Sequence, residues 1–148
     1  MNFGNTGKSN DNKLALKSFT MAYTYIVQEL EEGAYESKYA GDFLRQKLNF
    51  STKFQFYTHF NLNYQLSYSD RNGEFPDYDE VNAVRFSRPF QPYWLNDVSL
   101  SYARKSYKVY IKATNLFDKE YNDVGSLVQP GRWILGGVEF RLDGFAIR

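Results

Sequence analysis

The sequence has no cysteine, a single histidine, four prolines and no long apolar run. Without cysteine there are no disulfides and no thiolate metal sites, although this leaves the compartment open. With His59 as the lone histidine, neither a histidine-based triad nor an imidazole metal cluster can be assembled. Its setting among Phe56, Tyr57 and Phe60 fits a turn or interfacial residue. No stretch of about 18 apolar residues is present, which excludes a transmembrane helix. An excess of one charge sign is also missing: 18 basic and 17 acidic residues leave a net charge of +1, and no nucleic-acid partner is implied. Residues 1–12 lack the charged-then-apolar layout of a signal peptide, so the expectation is a mature form or a fragment.

Catalytic and cofactor signatures are equally sparse. Gly131 and Gly136-Gly137 do not make a phosphate-binding fingerprint, because nothing helical follows them; relief of crowding on a strand is the simpler use. The Asp77-x-Asp79-Glu80 cluster has oxygens that could take Ca²⁺, but it lacks the glycine and distal glutamate of an EF-hand loop and fits a solvated loop. The expectation is no enzyme, no cofactor and no metal.

What the chain does have is aromatics: 13 Tyr and 13 Phe against 2 Trp, or 19% of the residues. Such residues suit pleated, half-buried surfaces, and tyrosine suits a boundary that is apolar on one side and wet on the other. The mean hydropathy of −0.59 does not oppose this, since a transmembrane barrel strand is half polar and gives a weak hydropathy signal.

Period-two alternation recurs along the chain. After a loop-like lead-in over 1–13, a first strand spans roughly 14–27, with Phe19, Met21, Tyr23 and Tyr25 on one parity. The polar 28–41 stretch reads as a loop, although Tyr35, Tyr39, Phe43 and Leu44 also sit at the spacing of a short helix. Leu48, Phe50, Phe54 and Phe56 then alternate with Lys47, Asn49, Ser51, Lys53 and Gln55, and a tight link leads into Phe60, Leu62, Tyr64, Leu66 and Tyr68, predicting a hairpin. The segment 70–92 holds three of the four prolines and reads as no continuous central strand. Strands are predicted over 93–103 and 107–114, with a loop over about 117–131. A last strand over 133–142 puts Ile134, Val138, Phe140 and Leu142 on one face and Glu139 and Arg141 on the other.

The fold class is therefore all-β, an antiparallel meander of about six strands over 14–142 with a tail at 143–148. Its connections run long, short, long, short, long, as in outer-membrane barrels, which carry short turns on one rim and longer loops on the other. Aromatics gather near the strand ends in two girdles. The apolar parity from Phe60 to Tyr68 covers roughly 27 Å of strand, or about 20 Å vertically at a tilt near 45°. A small soluble barrel or meander that binds an apolar ligand inside remains the alternative, because alternation does not say which face points outward.

Several pieces resemble a known family: Glu36-Ser37-Lys38-Tyr39-Ala40 with Phe43-Leu44-Arg45-Gln46-Lys47-Leu48, Asp70-Arg71-Asn72-Gly73, Pro92-Tyr93-Trp94-Leu95-Asn96-Asp97, Ala113-Thr114-Asn115-Leu116-Phe117-Asp118-Lys119-Glu120-Tyr121 and Gln129-Pro130-Gly131-Arg132-Trp133. In this order they are similar to the C-terminal barrel of TonB-dependent outer-membrane receptors, most closely the cobalamin-receptor-like branch of Bacteroides-type bacteria. The resemblance implies part of a 22-stranded barrel in the Gram-negative outer membrane, plugged by an N-terminal domain that contacts TonB and importing a large scarce nutrient such as cobalamin or a ferric siderophore. The plug and the other strands would then be missing partners of a fragment. Asp97, Lys108, Lys112, Glu139 and Arg141 are expected to face the lumen, and Phe54, Leu62, Ile111, Val138 and Phe140 the lipid. In water the isolated chain is expected to self-associate.

Overall fold

The computed structural model describes residues 14–28, 42–125 and 127–141. The 1–13 lead-in, the 29–41 part of the first loop with its helical spacing, Leu142 and the 143–148 tail lie outside the described residues.

Among the described residues ten strands follow one another: β1 (Leu14–Tyr25), β2 (Leu44–Phe56), β3 (Phe60–Arg71), β4 (Glu74–Asp79), β5 (Val84–Pro89), β6 (Tyr93–Ala103), β7 (Tyr107–Thr114), β8 (Asn122–Val124), β9 (Leu127–Val128) and β10 (Trp133–Phe140). Six of them form one antiparallel sheet in the order β1-β2-β3-β6-β7-β10. This is the predicted meander. Among the described residues the sheet is open, with β1 and β10 as its two edges.

Register turns the sequence alternation into two faces, because directly paired residues project to the same side. Phe54 pairs with Leu62, Leu62 with Leu100, Leu100 with Ile111 and Ile111 with Gly136, giving an apolar row across five strands. One position along each strand, Lys53, Asn63, Ser99, Lys112 and Leu135 make the matching row on the other face, polar up to its last member. On β1, Leu14 and Leu16 are out of phase with Phe19, Met21 and Tyr23. A bulge at Lys17 corrects the phase: Leu16 pairs with Phe54 and Ser18 with Lys53, so one extra residue brings both sets onto the apolar face.

Two loops read as irregular contain ribbons of their own. Within 70–92, β4 and β5 form a two-stranded hairpin, with Pro76 opposite Ser87 and Pro89 opposite Glu74. Proline excludes a central strand, but a two-stranded ribbon has an outer edge on each side where a missing N–H costs nothing. Gly73, at φ 102°, turns the chain out of β3 into this hairpin. The shorter β8–β9 ribbon occupies the loop before β10.

The best-buried hydrophobic residues are Phe75, Phe90, Tyr93 and Ala113, and three of these four sit at the long-loop end of the sheet. Along the apolar face, by contrast, Phe19, Met21, Ile111, Ile134, Val138 and Phe140 are all more than half exposed. No described large side chain is fully buried.

The β2–β3 turn is tight. Tyr57 and Thr58 adopt φ 48° and 61°, and the Gln55 side-chain amide donates to the Thr58 carbonyl at 2.6 Å. A β-branched residue is unfavourable in the left-handed region, so glycine at position 58 relieves strain. Thr58→Gly is expected to stabilise the protein by about 0.5–1 kcal/mol, read as a higher urea midpoint; an unchanged or lower midpoint would show that the turn carries no such strain.

Candidate functional site

Arg71 is the last residue of β3 and gathers all three long connections. Its guanidinium donates to Asp42 at 2.9 Å, from the loop before β2, and to Asp123 at 3.4 Å, from β8. It also stands 5.6 Å from the centroid of Phe90, which ends the β4–β5 excursion. Phe90 packs on Phe75 at 5.1 Å, and Tyr93 packs on Tyr121 at 4.4 Å while donating its hydroxyl to Asp123. One cation therefore holds together segments far apart in the chain. Its Nε is buried without a hydrogen-bond partner. Next to it, Asp70 is buried and receives two nitrogens of Arg45, which sits at a bulge in β2.

The Asn-Leu-Phe-Asp-Lys segment is a self-closing turn. Asn115 and Asp118 take positive φ values, and the Asn115 side chain both accepts from the Lys119 amide and donates to the Lys119 carbonyl, at 2.9 and 2.8 Å. Asparagine suits the role because it tolerates this backbone region and carries both a donor and an acceptor. Asp97 caps the turn by accepting the Asn115 amide at 3.0 Å, and Asp118 reaches across to the Arg132 amide at 2.6 Å. Glycine at 131 allows that approach, since a Cβ there would come within 2.5 Å of the Asp118 oxygen. Tyr121, at the end of the turn, has its phenol pushed up by burial first and then by the charges of Asp123 and Asp97.

The five residues expected to face the lumen separate into smaller groups. Asp97, Lys108, Lys112 and Glu139 share the polar face by register, and Arg141 follows the end of β10. Glu139 receives Lys108 at 3.7 Å and Arg141 at 3.4 Å. Lys112 and Asp97 border a shallow hollow of about 230 Å³ that is also lined by Lys53, Asn63, Gln65 and Ser99. Lys108 also stands 5.7 Å from the centre of the Tyr110 ring, and that ring lies over Gly137, where a Cβ would meet the phenol oxygen at 2.6 Å. Phe54, Leu62, Ile111, Val138 and Phe140 all lie on the apolar face.

Rings line that face at the short-turn rim in a continuous row. Tyr57, Phe56, Phe60, Tyr102 and Tyr107 follow one another with centroid separations of 6.4, 5.3, 4.9 and 6.2 Å. Toward the long loops, Tyr68 packs on Trp94 at 4.7 Å. Two polar residues interrupt the middle of the face, and each makes an internal hydrogen bond. Thr52 donates to the Ser18 carbonyl at 3.3 Å, and the Tyr64 hydroxyl donates to Asn96.

The acidic loop cluster is put to local use. Asp77 pairs with Arg88 at 3.1 Å, and Asp79 accepts from the Asn82 side chain and from the amides of Asn82 and Val81, which holds its carboxyl below its ordinary value. No group of three or more metal-ligating side chains occurs among the described residues. The long loops are expected from the resemblance to cover a ligand on the outside, but the one local sign of the Arg71 cluster in the sequence is the Asp-Arg-Asn-Gly run at the end of a strand. Comparison of the chain with protein-family models, curated proteins and solved structures finds no match.

Removing the Arg71 cation leaves Asp42 and Asp123 facing each other without it. Arg71→Gln is expected to cost about 2 kcal/mol and to speed amide hydrogen exchange in the loops around residues 42, 90 and 123 together, while β2 and β3 remain protected. Faster exchange in only one loop would show that Arg71 does not link them.

Proposed function

We propose that this chain supplies six consecutive strands to the barrel of a TonB-dependent receptor in the Gram-negative outer membrane. Its role is transport, not catalysis: the barrel takes up a large scarce nutrient of the cobalamin or ferric-siderophore kind. The family assignment rests on the resemblance of the Asn-Leu-Phe-Asp-Lys and Pro-Gly-Arg-Trp segments. The observation that carries the membrane reading is the exposed apolar face of an open sheet, bordered by the five-ring row at one rim and by Tyr68–Trp94 at the other. Aromatic girdles of this kind flank the lipid-facing band of outer-membrane barrels. Internal bonding of Thr52 and Asn96 suits the same setting, because hydrocarbon offers polar groups no partner.

In this reading the short turns face the periplasm and the three tied loops face outward. Asp97, Lys108, Lys112, Glu139 and Arg141 look into the lumen toward the plug, and TonB is reached only through that plug. Further strands of the barrel pair with the edges at β1 and β10. A small soluble barrel would need closure with the apolar side inward, whereas here that side is open and β1 and β10 are not paired.

Single cysteines replacing Phe54, Leu62 and Ile111 test the reading. In the bilayer-reconstituted protein they are expected to resist a water-soluble thiol reagent and to react with a lipid-soluble one; uniform modification by the water-soluble reagent overturns the proposal.

The same face has a consequence in water. Each large apolar side chain left exposed forgoes about 2 kcal/mol, and the open edges offer unpaired main-chain groups. Analytical ultracentrifugation in detergent-free buffer is expected to show association, and a stable monomer of 17.4 kDa would contradict it.

A further inference from the structure

The short-turn rim carries cations that the internal pairing does not use. Arg104 lies in the β6–β7 turn, where its Nε–H donates to the Tyr102 hydroxyl at 2.6 Å and its guanidinium carbon stands 5.4 Å from the Tyr102 ring centre. Its Nη1 donates to His59 Nε2 at 2.8 Å, which makes that nitrogen the acceptor and puts the ring proton on Nδ1, 3.2 Å from the Tyr57 carbonyl. The His59 ring stands beside Tyr102 at 5.8 Å, and the Ala103 amide donates to the His59 carbonyl at 2.9 Å, so the two turns are fixed to one another.

This corner sits directly on the five-ring row. Arg104 and Lys105 are exposed, and no described carboxylate pairs with either. Glu139, the described carboxylate at this rim, is already taken by Lys108 and Arg141 on the polar face. At the long-loop rim the arrangement is reversed, with Arg45 on Asp70 and Arg71 on Asp42 and Asp123. Free cations next to an aromatic row at the edge of an apolar face stand where lipid phosphates lie. The unused guanidinium N–H groups offer the geometry that phosphate oxygens take.

We propose that Arg104 and Lys105, held in place by His59 and Tyr102, form a binding site for the phosphodiester of an anionic phospholipid. The site rests on the membrane reading above. Its acyl chains would lie against Phe56, Phe60 and Tyr102, and the headgroup would meet the fixed corner between the two turns.

The test uses the whole chain in phosphatidylcholine bilayers, with spin-labelled phosphatidylglycerol and spin-labelled phosphatidylcholine compared for association with the protein. Phosphatidylglycerol is expected to be preferred, with the preference falling about fivefold for each positive charge removed in R104Q and in K105Q. R104K, which keeps the charge but not the planar N–H fork, should retain part of it, and R85Q, in the distant β5, should leave it unchanged. Excess inorganic phosphate should not displace the lipid; full competition would assign the site to a free anion instead and overturn the lipid proposal. Equal association of both lipids, or a preference that survives the double variant R104Q/K105Q, overturns it as well. If the cysteines at 54, 62 and 111 report lipid contact while phosphatidylglycerol is not preferred, only the headgroup site falls; if they report water, both proposals fall.

Discussion

The main-chain ladder joining β1, β2, β3, β6, β7 and β10 is what the rest of this structure depends on. A fold of this length ordinarily holds together through a buried core, yet here no described large side chain is fully buried and the broad apolar face is open. The ladder satisfies the backbone of each inner strand on both sides, and it fixes which side chain lies beside which. Such bonds strengthen when water is withdrawn from around them, so the setting that would cover the apolar face would also reinforce the scaffold presenting it.

The two ends of the sheet are built differently on that scaffold. At one end, tight links confine the chain and leave an aromatic row with basic groups beyond it. At the other, the connections are long and fold into ribbons, and their order comes from charge pairing around Arg71 and ring packing around Phe90 and Tyr93. The buried hydrophobic residues belong mostly to this second end, so the apolar burial of the described structure serves its loops more than its sheet.

Much of this was legible in the sequence, for a reason particular to strands. Period-two alternation is a local signal, and Phe54, Leu62, Ile111 and Val138 were each legible as the apolar parity of their own strand because the alternation around each of them is unbroken; the pairing register then puts the four on one face. Leu14 and Leu16 were not legible in the same way, since the bulge at Lys17 has no glycine or other residue that announces it. The prolines at 76 and 89 ruled out a central strand but masked the hairpin, which tolerates them at its outer edges. Arg71 was hidden for a third reason: its partners lie 29 and 52 residues away, and a pairing over such distances leaves no local pattern. Asp97 was expected on the polar face and lies there by register, but its capping of the Asn115 turn depends on a neighbour brought in by β7.

Among the described residues the sheet order repeats the chain order, interrupted only by two hairpins that pair within themselves. Each strand of the large sheet therefore meets only the sheet strands immediately before and after it in the sequence. Assembly can start at a single tight turn, such as the one between β2 and β3, and advance outward by adding one strand at a time to a template already in place. No segment has to be threaded between two others, and no distant partner has to be found before the growing edge can accept the next strand. An error in register at any step would pass to every strand added afterwards, which gives the Lys17 bulge and the fixed pairing at the short turns a kinetic importance alongside their structural one.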